Sequence, residues 1–162
     1  MKDERWAGLT LLETIIALLI AAIVCAGFGT VAGRSRSGMD LQMAADQLVQ
    51  EIRGLQQRAL TEQCSNYFIL FDRASGSYYL RKSGFPDVTL SRVYLPRTVA
   101  LENTNFDKNK LYISAQGLPY PRGGTVTLRD KRNSKFKYVI IASVTGRVRS
   151  SDTPPESWEI GK

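Results

Sequence analysis

The chain has 162 residues, of which 43% are apolar and 23% charged, and this suffices for one domain with a hydrophobic core. It contains no histidine, which excludes mechanisms that need an imidazole base, a histidine-ligated zinc ion or a Ser-His or Cys-His nucleophile. The two cysteines, Cys25 and Cys64, are too few for a disulfide-rich scaffold or a zinc cluster. We therefore expect a protein that is not an enzyme and has no cofactor and no metal.

An apolar stretch covers residues 9–31 and contains one charged residue, Glu13. As a helix it would be roughly 35 Å long, enough to cross a hydrocarbon layer of about 30 Å. The residues before it carry no net charge and no Ala-x-Ala follows, so it does not fit a secretory signal peptide. Residues 9–33 are therefore predicted to form a helix that crosses a membrane once.

Glu13 is the unusual residue of this stretch, because a carboxylate costs about 2.5 to 3.5 kcal/mol at the centre of a bilayer. A cut between Gly8 and Leu9 would create an α-amine one helical turn before Glu13. In an array of staggered helices, each carboxylate could then neutralise the amine of a neighbouring subunit. The alternative is a tolerated interfacial glutamate in a plain membrane anchor.

The segment Gly8-Leu9-Thr10-Leu11-Leu12-Glu13, followed by the apolar run, resembles the class III signal of type IV pilins and pseudopilins. The resemblance implies that prepilin peptidase removes the leader, residues 1–8, and that the amine of Leu9 is methylated. It implies that Glu13 acts in assembly with other major and minor pilins and an inner-membrane platform. It places the chain in the cytoplasmic membrane with its C-terminal domain outside, and then in the filament. The family usually has Phe where this chain has Leu9.

A second helical pattern lies in residues 34–65, where apolar residues recur at spacings of four and three. Such a stripe could form a coiled-coil seam, but the β-rich sequence that follows favours packing against a sheet. The stripe consists of Leu41, Ala45, Leu48, Ile52, Leu55 and Ala59.

Residues 66–150 contain short β-rich runs separated by turn residues. Residues 66–72 and 77–82 flank the turn at residues 73–76 and predict a β-hairpin. Residues 151–162 contain Pro154-Pro155 and predict a mobile tail. The predicted fold is α+β and type IV pilin-like, a long N-terminal helix packed on an antiparallel sheet. Further strands are predicted at residues 88–95, 110–114, 125–129, 135–144 and 147–150.

Three short motifs in the C-terminal part resemble the GspH/FimT domain of minor pseudopilins. They are Gln116-Gly117-Leu118-Pro119, Gly124-Thr125-Val126-Thr127-Leu128 and Thr145-Gly146-Arg147-Val148-Arg149. The resemblance implies a minor subunit that initiates or caps a type II secretion pseudopilus or a type IV pilus.

The positive charge is concentrated in the C-terminal third of the chain. Residues 106–162 carry 11 basic and 5 acidic side chains, whereas residues 1–105 carry 11 and 10. In a strand, Arg147 and Arg149 would share a face about 7 Å apart, with Val148 turned inward. In the preceding strand, Lys135 and Lys137 would lie on one face and Phe136 and Tyr138 on the other. The candidate phosphate-binding residues are Gly146, Arg147, Arg149, Lys135, Lys137, Lys131, Arg132 and Arg129.

Paired guanidinium groups suit phosphate oxygens. Some competence-associated members of the resembled branch are thought to bind DNA through a C-terminal Gly-Arg-x-Arg sequence, which Gly146-Arg147-Val148-Arg149 matches. The alternative hypothesis is therefore a sequence-independent DNA-binding minor pilin for DNA uptake. The same charges also suit a solvated surface, an acidic partner subunit or anionic headgroups.

Two questions stay open at this level. Secretion and competence systems share the expected fold, so the sequence does not choose between them. A membrane-tethered enzyme would depend on Cys64 or a Ser-Lys pair, for which no motif is present. We expect Cys64 to be a buried, unpaired thiol.

Overall fold

The computed structural model describes residues 11–157 and residue 159, except for the side chains of residues 25–37. Helix α1 extends over Leu11–Glu62. The chain divides into residues 1–36 and a compact unit of residues 37–162, and each is described by itself. Within the described part of the chain, no helix combines the length and the apolarity that a membrane crossing requires.

The compact unit contains two antiparallel sheets after the helix. The first sheet has the strand order β3-β2-β1-β5-β6, and the second has the order β4-β7-β8-β9. One turn of 3-10 helix, Asp107–Asn109, precedes β5. The strands are β1 (Tyr67–Asp72), β2 (Ser77–Lys82), β3 (Val88–Tyr94), β4 (Val99–Thr104), β5 (Lys110–Ile113), β6 (Pro119–Tyr120), β7 (Gly124–Asp130), β8 (Phe136–Ile141) and β9 (Val148–Ser151).

The apolar stripe of α1 forms one hydrophobic core with side chains from both sheets. All six stripe residues predicted from the spacing are at most 5% exposed, and Ala45, Leu48 and Ile52 are completely buried. The first sheet contributes Ile69 and Leu111 to this core, and the second sheet contributes Leu128 and Val139, among others. We call the sheet surface that faces this core the inner face, and the opposite surface the outer face.

The hairpin of β1 and β2 is confirmed in full register, with Asp72 opposite Ser77. The expected single sheet is wrong, because the strands divide between two sheets. Strands β4 and β6 were not predicted. In β4 the register shifts between Leu101 and Asn103, which interrupts the alternation by which a strand is recognised. Strand β6 has two residues, of which the first is Pro119, and Pro121 follows it, so it carries almost no sequence signal.

Candidate functional site

The N-terminal part of α1 exposes a dense apolar surface around one carboxylate. Nine large apolar side chains between Leu11 and Val24 are each at least 50% exposed. Glu13 lies in the first turn of the helix, where the helix dipole favours a negative charge. Exposure of such a surface to water is unfavourable. Gly8 and Leu9, at the predicted processing site, lie outside the described residues.

The second sheet separates the basic residues that were predicted to share a site. Lys137 pairs with Leu128, which is completely buried in the core, so both lie on the inner face. Arg149 pairs with Ile140, one residue along β8 from the core residue Val139, so it lies on the outer face. Lys135 precedes β8 and lies in neither strand. The expected cluster is therefore divided between the two faces.

Arg149 is bound by a carboxylate of the C-terminal tail. Its Nη2 donates to both carboxylate oxygens of Glu159, at 2.7 and 3.0 Å, and its Nε donates to one of them at 3.3 Å. The main chain of the tail is also attached, because the amide of Ser143 donates to the carbonyl of Glu159 at 3.0 Å. The tail that was predicted to be mobile therefore contacts the sheet through Glu159.

Arg149 lowers the pKa of the Glu159 carboxyl, mainly through the hydrogen bonds between them. Because the folded pKa lies below the ordinary value, the stabilising contact is complete above that value. It is lost as the pH falls through the lowered pKa. At neutral pH, Glu159 is therefore a charged carboxylate bound to the Arg149 guanidinium. A phosphate would have to bind the same guanidinium.

Most of the other candidate cations also have partners. Lys137 forms an ion pair with Asp152 at 2.9 Å, and Arg129 forms one with Glu102 at 3.0 Å. The ammonium of Lys131 donates to the carbonyl of Arg97 at 3.0 Å. The exposed candidates are Lys131 itself, together with Arg132, Lys135 and Arg147.

Gly146 has a structural role in a turn that is attached to α1. Its φ is +65°, and a Cβ there would come 2.9 Å from Leu118. The side-chain amide of Gln56 donates to the carbonyls of Gly146 and Gly117, both at 2.8 Å. The guanidinium of Arg53 donates to the carbonyl of Val148 at 2.7 Å. Two of the short motifs that suggested the GspH/FimT domain are thus joined to the same helix. Val148 is 2% exposed, which confirms its predicted inward orientation.

One expectation about a face is confirmed and one about burial is wrong. Phe136 pairs with Arg129 and Lys137 with Leu128, so the two lie on opposite faces of β8 as predicted. Cys64 was expected to be buried and is half-buried, two residues after the end of α1. It is a free thiol.

The outer face of the first sheet carries a set of aromatic and basic side chains that the sequence analysis missed. The alternation Tyr79, Arg81 in β2 and Arg92, Tyr94 in β3 contained this signal. It was overlooked because the charge balance of residues 1–105 is nearly even. The members of this surface, the aromatic–cationic face, are Phe68, Tyr79, Arg81, Arg92, Tyr94, Lys110, Tyr112 and Tyr120.

A scan of protein-family models and a search of curated proteins find no match to this chain. Among solved structures, the chain is similar to the minor pseudopilin EpsH from the Type 2 Secretion System of Vibrio cholerae. The two align with a TM-score of 0.57 and 13% sequence identity, over 69% of this chain and 96% of that chain. The fold is that of a minor pseudopilin.

This likeness confirms the resemblance to the type IV pilin-like class at the level of the fold. At 13% identity it carries no individual residue from one protein to the other. The roles of Gly8, Leu9, Glu13 and the basic candidates therefore depend on the chemistry of this chain.

Proposed function

We propose that this chain is a non-enzymatic minor pseudopilin or pilin, a subunit of a type II secretion pseudopilus or a type IV pilus that acts at initiation or at the tip. Prepilin peptidase cuts between Gly8 and Leu9. The subunit is then held in the cytoplasmic membrane by one helix, with its compact unit outside, and an inner-membrane platform moves it into the filament beside other pilins.

The exposed apolar surface at the start of α1 carries this proposal. Nine large apolar side chains in residues 11–24 lie around Glu13, in a chain whose compact unit has a pseudopilin fold. Burying one such side chain contributes about 1.5 to 3 kcal/mol. Neighbouring helices in a filament, or lipid before assembly, would supply that burial. Glu13 would then meet a neighbour's new amine at the contact between the helices.

Intact-mass analysis of the membrane fraction tests the proposal. In a host with an active prepilin peptidase, the mature chain should lack residues 1–8 and carry one added methyl group. Gly8→Ala should leave the leader attached while the chain remains in the membrane. An unprocessed wild-type chain beside a correctly processed endogenous pilin would contradict the proposal.

A second candidate function is duplex DNA binding for uptake, and the exposure of Arg147 beside Arg149 favours it. Glu159 holds the Arg149 guanidinium through both carboxylate oxygens, and the N–H donors that it uses are those that a phosphate would need. If the pair binds DNA, Glu159 must leave Arg149, so the tail competes with the phosphate backbone.

Replacing Glu159 should therefore strengthen duplex binding. We expect Glu159→Gln to raise the affinity for duplexes of unrelated sequence and to steepen the dependence of log K on log salt by about 0.9, the value for one more neutralised phosphate. Glu51→Gln makes the same change of net charge on α1, away from Arg149, and should leave the slope unchanged. If Glu159→Gln has no effect and Arg147→Gln with Arg149→Gln does not weaken binding, this candidate is wrong and the filament role is unaffected.

A further inference from the structure

We propose that the aromatic–cationic face of the first sheet binds single-stranded nucleic acid, without sequence preference, by stacking bases on its tyrosines and pairing phosphates with its arginines and lysine. This site is separate from Arg147 and Arg149, which belong to the second sheet and its preceding turn. It does not depend on the filament role.

The cations of this face lie against its rings. The guanidinium of Arg92 lies 4.7 Å from the ring centre of Tyr79 and 4.4 Å from that of Tyr94. On β1, the ring of Phe68 lies 5.2 Å from the ammonium of Lys110. Cations held over rings are placed beside the surfaces on which bases stack, so that one ligand can contact both.

A continuous row of side chains crosses all five strands of the first sheet. The pairing places Tyr120 opposite Tyr112, Tyr112 opposite Phe68, Phe68 opposite Arg81, and Arg81 opposite Thr89. With neighbouring strands about 4.8 Å apart, the row is roughly 19 Å long. Phe68, in the middle of the row, is 1% exposed, so the rings that a base can reach on this row are those of Tyr112 and Tyr120. Sheets that bind single-stranded RNA stack two or three bases, so this end of the row has sufficient length.

Two cavities lie along this face, one towards each end. The first measures about 610 Å³ and is lined by Tyr112 and Tyr120, with Ser65, Ser114, Gln116 and others. The second measures about 610 Å³ and includes Tyr79, Arg81 and Thr89 in its lining. Both lie within the 300 to 1,000 Å³ typical of small-ligand sites, which is adequate for an unpaired base.

The charge of the face favours a polyanion. Its cations are Arg81, Arg92 and Lys110, and the Arg81 Nε is a buried donor without a hydrogen-bond partner among the described residues. Of the neighbouring carboxylates, Asp72 accepts from the amides of Ala74 and Ser75 in its own turn. The other, Asp87, is 4.0 Å from Arg81.

The rings favour a single strand over a duplex. Tyr120 is 65% exposed and Tyr94 is 61% exposed, so their surfaces are open to a ligand. Stacking requires a base whose own face is free, and a duplex covers the faces of its bases by stacking them on one another. Among polyanions, an unpaired strand therefore matches both the rings and the cations.

The test uses the full chain in a non-ionic detergent and fluorescently labelled oligothymidine and oligodeoxyadenosine of about 12 nucleotides, at roughly 50 mM salt. Tyr112→Ala and Tyr120→Ala should each weaken binding about 5- to 100-fold, the range found for loss of one stacked base. Tyr112→Phe and Tyr120→Phe keep the ring and should retain affinity. Arg92→Gln should flatten the salt dependence by about 0.7, the single-strand value for one phosphate.

Matched controls lie outside the first sheet. Tyr138→Ala removes a half-buried tyrosine of the second sheet, and Arg58→Gln removes an exposed cation of α1, so both should leave binding unchanged. Circular dichroism verifies that every variant is folded. The proposal is overturned by absence of binding, or by an affinity that the tyrosine variants do not alter and that a duplex matches. It is equally overturned if the tyrosine variants spare oligonucleotide binding but reduce filament incorporation, since the face would then be a subunit contact.

Discussion

Glu13→Ala should leave the chain in the membrane fraction and reduce its incorporation into filaments by more than a hundredfold. The expected size follows from the cost of removing one partner of a buried ion pair, about 3 to 5 kcal/mol, because the neighbour's amine would remain uncompensated. Glu13→Gln should fail in the same way, since it keeps the size of the side chain but loses its charge. Incorporation is measured by quantifying the protein in sheared filaments relative to the membrane fraction.

Thr14→Ala is the matched control for this experiment. The Thr14 hydroxyl bonds to the carbonyl of Leu11 in its own helix, at 2.8 Å, so its loss should change incorporation little. Mass analysis of each variant separates a defect in assembly from a defect in leader removal. Normal incorporation of Glu13→Leu would show that this carboxylate has no part in assembly, and the filament role would lose its main support.

Gly123→Ala should be the most destabilising single methyl group that can be added to the compact unit. A Cβ at Gly123 would collide with backbone atoms of Ile141, Ala142 and Ser143, and none of these can move aside as a side chain can. The backbone amide of Gly123 also donates to the Ser143 hydroxyl at 2.7 Å, which fixes the approach. We expect a loss of about 3 kcal/mol, at the upper end of overpacking, and a melting temperature lower by roughly 12 °C.

Gly54→Ala adds the same methyl group at a position where we expect it to stabilise the protein. Gly54 is exposed in α1, and a Cβ there has no neighbour within 4 Å. Its replacement should stabilise the helix by about 0.5 to 1 kcal/mol and raise the melting temperature by a few degrees. Thermal unfolding followed by circular dichroism compares the two variants. Equal melting temperatures would show that the backbone near Gly123 relaxes around the added methyl group.

The elements that the sequence predicted well are those whose signal is local. Leu41 to Ala59 recur at helical spacing and are buried on one side of α1, because the period of a helix determines which residues share a face. The hairpin of β1 and β2 is marked by alternating side chains around Gly76, which adopts φ +60°. The N-terminal signal at Gly8 and Glu13 also depends on spacing, and its role stays a prediction.

The division of the strands into two sheets was not available from the sequence, because the pairing of distant strands leaves no local trace. Strand β7 pairs with β4 and β8, whereas the neighbouring β6 pairs with β5 in the other sheet. This division is what decides which charges share a face. Lys137 and Arg149 both lie in the basic C-terminal third, residues 106–162, yet one faces the core and the other faces outward.

The amino-acid sequence by itself determined the amphipathic stripe of α1, the first hairpin and the concentration of basic residues in residues 106–162. Each depends on residues within a few positions of one another. Only the tertiary structure decided that Glu159 binds the guanidinium of Arg149. It also decided that Tyr112, Phe68 and Arg81 form one row. Those contacts join residues that are far apart or on different strands, and the register and packing of the sheets, which the whole core determines, bring them together.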